Sequence, residues 1–104
     1  MKYYCEICKS NHLDNSSVGI QHKLLKKLNY YTWDFLQAYR KNDWPMMNIG
    51  MEKVDKLVSS NKNILPEEIV YKYKILAIKQ GKITNNSMRS FCSWYQNWYK
   101  SKVT

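Results

Sequence analysis

Met88, Phe91, Cys92, Tyr95, Trp98 and Tyr99 stand at spacings of 3, 1, 3, 3 and 1. An α-helix with 3.6 residues per turn gathers all six on one side, whereas a strand would scatter them over both faces. The other side of the same stretch is Asn86, Ser87, Arg89, Ser90, Ser93, Asn97 and Lys100, all polar. A helix with that much aromatic surface on one side must be covered by other elements, because helices gain most of their stability from packing. The rest of the chain therefore has to supply matching apolar faces.

It supplies three, all with helical spacing. Pro66, Glu67 and Glu68 suit the first turn of a helix, Pro for its fixed φ and the acids for the positive helix end. Ile69, Tyr73, Leu76, Ala77 and Gln80 continue that helix, and Gly81 is its expected left-handed stop. Thr84, Asn85 or Asn86 can cap the helix that follows. Ile20, Leu24, Leu28, Tyr31, Phe35 and Tyr39 predict a helix from about Val18 to Lys41, capped by Ser16 or Ser17. It either runs unbroken or restarts near Asn29 with Thr32 as a new cap. Met47, Gly50 or Met51, Val54, Leu57 and Val58 predict a helix over residues 49–60 capped by Asn48, with Glu52, Lys53, Asp55 and Lys56 on its solvated side. Asn42-Asp43-Trp44-Pro45 reads as a loop with Trp44 extended, as the residue before Pro prefers. Only Lys2–Glu6 has a strand pattern. The expectation is an all-α compact bundle of four to five helices in one domain, 1–104. Within it, residues 1–22 form an N-terminal segment, 23–65 the central helices and 66–102 a basic helix pair. With 104 residues, 44% of them hydrophobic and 14% aromatic, a modest core is affordable.

The N-terminal segment holds Cys5-x2-Cys8-x3-His12-x9-His22. A Cys-x2-Cys turn lets two thiolates meet one zinc ion, and imidazoles complete a tetrahedral set. With Tyr3 two residues before Cys5, the stretch resembles the first half of a two-Cys, two-His zinc finger over about twenty residues. It departs from that pattern after His22, where Lys26 and Lys27 stand in place of a second helical His. The resemblance implies zinc held by Cys5, Cys8, His12 and His22, with Cys92 as the alternative to one of the histidines.

Charge is unevenly spread. Residues 1–68 carry ten basic and eight acidic residues, while residues 69–104 carry seven basic and none acidic. The chain's net charge is +9. Such one-sidedness speaks of partners and points to a polyanion. Lysine outnumbers arginine fifteen to two, which also suits an AT-rich genome. Codon bias does not explain the missing acids, since AT-rich codons encode Asp and Glu too.

Ala77 lies four residues before Gly81, a small residue and a turn glycine at the separation used in helix–turn–helix DNA binders. The chain resembles that motif over about 25 residues, with the turn's hydrophobic residue displaced to Ile83. The resemblance implies a recognition helix entering duplex DNA with its N-terminal half. The residues expected to contact nucleic acid are Lys72, Lys79, Lys82, Asn85, Asn86, Ser87, Arg89, Ser90 and Lys100. Asn pairs with adenine and Arg with guanine in the major groove, and Lys and Ser hold phosphates. Trp94 falls off the apolar stripe. An exposed aromatic there would serve base stacking or a protein interface.

No catalytic constellation is visible: no Ser–His–Asp set, no glycine-rich phosphate loop, and only Glu67-Glu68 as paired carboxylates. The expected protein is not an enzyme. No apolar run reaches membrane-spanning length and none follows Met1 as a signal peptide would, so the expected site is the cytoplasm, or a host's cytoplasm. The expected role is regulatory or replicative, in a phage or mobile element. The alternative is a small inhibitor or adaptor that presents its basic and aromatic face to an acidic partner protein. The oligomeric state is left open.

Overall fold

The computed structural model describes residues 18–103 in full, together with the backbone of 2–5, 10–13 and 17. Two short strands, β1 (Lys2–Cys5) and β2 (Ser10–Leu13), pair antiparallel with Tyr3 opposite His12 and Cys5 opposite Ser10. Helices α1 (Ser17–Arg40) and α2 (Trp44–Ser60) follow. Next come α3 (Glu67–Lys72) and a π-helical segment (Tyr73–Ala77), then the strands β3 (Ile78–Lys79) and β4 (Lys82–Ile83), then α4 (Asn85–Val103). The fold is all-α, with four helices and two small hairpins among the described residues. No helix among them is long and apolar enough to cross a membrane.

Helix α4 packs its stripe into the core, and α1 is the helix on which both α2 and α4 pack. Met88, Phe91, Cys92, Tyr95 and Tyr99 are buried against Leu25, Leu28 and Phe35 of α1, Val54 and Val58 of α2, and Ile69 and Tyr73. The Tyr73 and Phe91 rings meet edge to face at 5.0 Å, and Tyr95 donates its hydroxyl hydrogen bond to the Leu25 carbonyl. Both are arrangements that buried aromatic groups favour. Trp98 departs from the expected burial. It is half-buried, and its indole N–H donates to the Glu68 carboxylate at 3.2 Å. On α1, Leu25 takes the deep position and Ile20 stays exposed, so the expected stripe is rotated by about one residue at its start.

The long first helix is unbroken, and Thr32 shows why. Its hydroxyl is buried, donates to the Leu28 carbonyl at 2.9 Å and accepts from the Gln96 amide at 2.7 Å. A mid-helix threonine bonded to its own preceding turn needs no break. The turn into α2 places Asn42 at φ 56, a left-handed conformation that Asn tolerates. The cap of α2 is Asp43 rather than Asn48: its carboxylate accepts from the Met46 amide at 3.3 Å, and Pro45 stands in the first turn. Trp44 is therefore helical and not extended. Gly50 lets α1 and α2 meet closely, since a Cβ there would lie 3.3 Å from Phe35 Cα.

The corner before α4 differs from the expected helix–turn–helix. The helix from residue 67 ends at Ala77 instead of Gln80, after a widened π turn. A two-residue hairpin follows, with Ile78 opposite Ile83 and Lys79 opposite Lys82. Gln80 (φ 53) and Gly81 (φ 76) form its turn, both left-handed, as the right-handed twist of a tight hairpin demands. Gly81 thus has the conformation the sequence predicts but serves a hairpin, not a helix end. Thr84 caps α4: its hydroxyl accepts from the Ser87 amide, while the Thr84 amide donates to the Ser87 hydroxyl, a reciprocal box.

Candidate nucleic-acid interface

The exposed side of α4 carries Asn86, Arg89, Ser90 and Lys100 at helical spacing, as expected. Other expected contact residues are distributed differently. Ser87 is a correction: it is 6% exposed, and its hydroxyl donates to the Ala77 carbonyl at 2.6 Å to join α4 to the π-helical segment. Polar side chains at the first turn of a helix often serve the corner rather than a ligand, and Ser87 does. Lys72 packs its ammonium 5.9 Å from the Trp94 ring, on the α3 side of α4. Trp94 is itself half-buried and stacked on Trp98 at 6.3 Å. Lys79 donates to the Ile75 carbonyl at 2.7 Å, satisfying one of the helix's last carbonyls. It also faces Lys82 directly across the hairpin, a like-charge pairing that a sheet disfavours.

Arg89 turns towards α1. Its guanidinium lies 5.4 Å from the centre of the Tyr39 ring. The Tyr39 hydroxyl donates to the Asn86 side-chain oxygen at 2.8 Å. Between these helices is a cleft of about 380 Å³ lined by Leu36, Tyr39, Arg40, Arg89 and Ser93. Both arginines of the chain therefore border one cavity, Arg40 from the last turn of α1 and Arg89 from α4. Arg40 is exposed, and among the described residues it has no ion-pair partner. Two arginines lining one cleft, each ending in a planar fork of donors, suit the oxygens of a phosphate.

Tyr39 is also the wall of a second cleft, of about 340 Å³, lined with Asn42, Trp44, Met47, Thr84, Asn85 and Asn86. Trp44 is 58% exposed there. Asn85 is half-buried, and its side-chain oxygen is shut off from water without a hydrogen-bond donor. Sequence reading missed Tyr39, Arg40, Trp44 and Ser93. Tyr39 counted as core and Trp44 as loop. The scarcity of arginine was the available signal, but only the α1–α4 packing brings residues 40 and 89 together.

A separate cleft of about 370 Å³ lies between α1 and α2, where Lys27 and Lys53 approach the Tyr31 ring at 5.9 and 5.5 Å. Residues 27 and 31 are on the side of α1 turned away from Arg40 by helical geometry, so this cleft is not continuous with the arginine pair.

Of the expected zinc ligands, the side chains of Cys5, Cys8 and His12 lie outside the described residues. His22 is half-buried on α1, and Cys92 is fully buried in the core with its thiol pKa pushed well above the usual range by burial. Among the described residues no three metal-binding side chains cluster. No protein-family model matches the chain, and neither a curated protein nor a solved structure does.

Proposed function

We propose that the protein binds nucleic acid through the face formed by the end of α1, the β3–β4 hairpin and the exposed side of α4. The observation that carries the reading is the meeting of Arg40 and Arg89, the chain's two arginines, on one cleft. The acid-free sequence after Glu68 and the opposed Lys79 and Lys82 support it, since a polyanion would relieve that like-charge pair. Phosphate contacts from these groups supply affinity, and asparagines on the same face supply contacts to bases. A recognition helix in a major groove is not needed for this reading, because the helix–turn–helix corner on which it depended is a hairpin.

Size and composition fit a regulatory or replication protein of a phage or mobile element. The N-terminal Cys5, Cys8, His12 and His22 set, as a zinc site, belongs to the same proposal. A second reading, docking to an acidic protein, draws on Tyr71 and Ile75, one helical turn apart and 61% and 39% exposed beside Lys74.

The test is a fluorescence-anisotropy titration with random-sequence DNA and RNA at several salt concentrations. About five neutralised phosphates give a log–log salt slope of roughly −4 to −5 for duplex, and somewhat shallower for single strands. No binding to any nucleic acid at low salt would sink the proposal.

A further inference from the structure

We infer that the nucleic acid is held as an unpaired strand, with a phosphate between Arg40 and Arg89 and an adjacent base laid on Trp44. The inference rests on the nucleic-acid reading above and names its substrate class. The two clefts adjoin through Tyr39, which borders both. One end of this track offers two guanidinium groups, suited to a phosphate. The other offers Trp44, 58% exposed and without a ring partner among the described residues.

That ring asks for a different chemical group from the arginines. An indole presents a ring face, and a base offers its own ring face only when it is unstacked. In a duplex the faces are covered by neighbouring pairs, so Trp44 can be used only if the strand is single.

Two α4 side chains that could read a duplex are already engaged by Tyr39. The Arg89 guanidinium lies against Tyr39, and the Asn86 side-chain oxygen is already taken by the Tyr39 hydroxyl. Trp33, 52% exposed, stands seven residues before Arg40 on the same side of α1, about 10 Å along the helix. It gives the strand a second aromatic surface beyond the arginines.

The experiment compares four ligands by anisotropy or tryptophan quenching, at one salt concentration for the ranking and at several for the salt slope: a short oligothymidylate, an oligouridylate of equal length, a duplex, and thymidine monophosphate. The strands should bind about tenfold or more tighter than the duplex. Trp44→Ala should weaken strand binding roughly 5- to 150-fold, as loss of one stacked base does, while Trp44→Phe retains most of it. Trp44 is exposed, so its variants should melt within a few degrees of the parent, and circular dichroism checks that. Arg40→Ala should flatten the salt slope by about 0.7 for a single strand. Duplex binding as tight as strand binding, or an unchanged Trp44→Ala affinity, would overturn the single-strand inference and leave the nucleic-acid reading standing. The monophosphate binding as tightly as the oligonucleotides would make the track a free-nucleotide site and overturn it too. Failure of all four ligands would overturn both readings.

Discussion

The Arg89 guanidinium lies over the Tyr39 ring, 5.4 Å from its centre, and the same ring's hydroxyl donates to Asn86 one turn earlier on α4. Tyr39 thereby holds two α4 side chains in place and divides the two clefts of the proposed interface. Arg89→Ala should lower affinity for all sequences and flatten the salt slope by about 0.7 for a single strand, and Arg89→Lys should recover only part of the affinity, because the planar fork is lost. Lys82→Ala should weaken all sequences equally and flatten the salt slope by about one unit. Binding isotherms at several salt concentrations check both.

Phe91 is fully buried and touches the rings of Tyr73 and Tyr95. Phe91→Ala should cost about 3–5 kcal/mol of folding stability, read from urea unfolding at constant m-value. A loss of a few tenths would mean that the α4 stripe is not the core.

Gly50 and Gly81 should respond to alanine for opposite reasons. At Gly50 the new Cβ would lie 3.3 Å from the Phe35 backbone and side chain, so α1 and α2 must separate slightly, at a cost of about 1–3 kcal/mol. At Gly81 there is open space, and the cost of about 1–2 kcal/mol is the left-handed backbone alone. Gly81→Asn should therefore be milder than Gly81→Ala, while Gly50→Asn should be worse than Gly50→Ala. Thermal melts of the four variants distinguish the two mechanisms.

Alkaline pH should unfold the protein. Burial pushes the Cys92 thiol and the Tyr73 and Tyr95 hydroxyls well above their ordinary pKa values; for Tyr73 the hydrogen bond to the Asp55 carboxylate adds to burial. All three are protonated in the native state, so their contribution is complete below the unfolded-state values of 9.0 for Cys and 10.0 for Tyr. It is lost as pH rises beyond them, because the unfolded chain then releases protons that the folded chain keeps. Stability should fall from about pH 9, and each group adds about 1.4 kcal/mol per pH unit once past its unfolded pKa. Cys92→Ala should remove the earliest part of that fall. Urea unfolding between pH 7 and 11 measures it.

If Cys5, Cys8, His12 and His22 hold zinc, protein purified without chelators should carry about one zinc per chain, and Cys5→Ser should release it and lower the melting temperature. Elemental analysis without zinc in the parent protein refutes the site.

The helices and most of the core were legible in the chain because they depend on local periodicity. The Met88–Tyr99 stripe sets the inner face of α4 whatever it packs against, and the acid-free segment after Glu68 sets the charge. Caps were legible to within a few residues, and Asp43 rather than Asn48 won because Pro45 accepts the first turn. The corner at residues 78–83 was not legible. A small residue four before a glycine suits a helix stop and a hairpin equally, and the Ile78–Ile83 pairing comes with the left-handed Gln80–Gly81 turn and with contacts of Ser87 to Ala77 and Thr84. Nor was the arginine cleft. Arg40 and Arg89 are far apart in sequence, and only the packing of α1 on α4, fixed by buried side chains elsewhere on both helices, brings the two residues to one cavity.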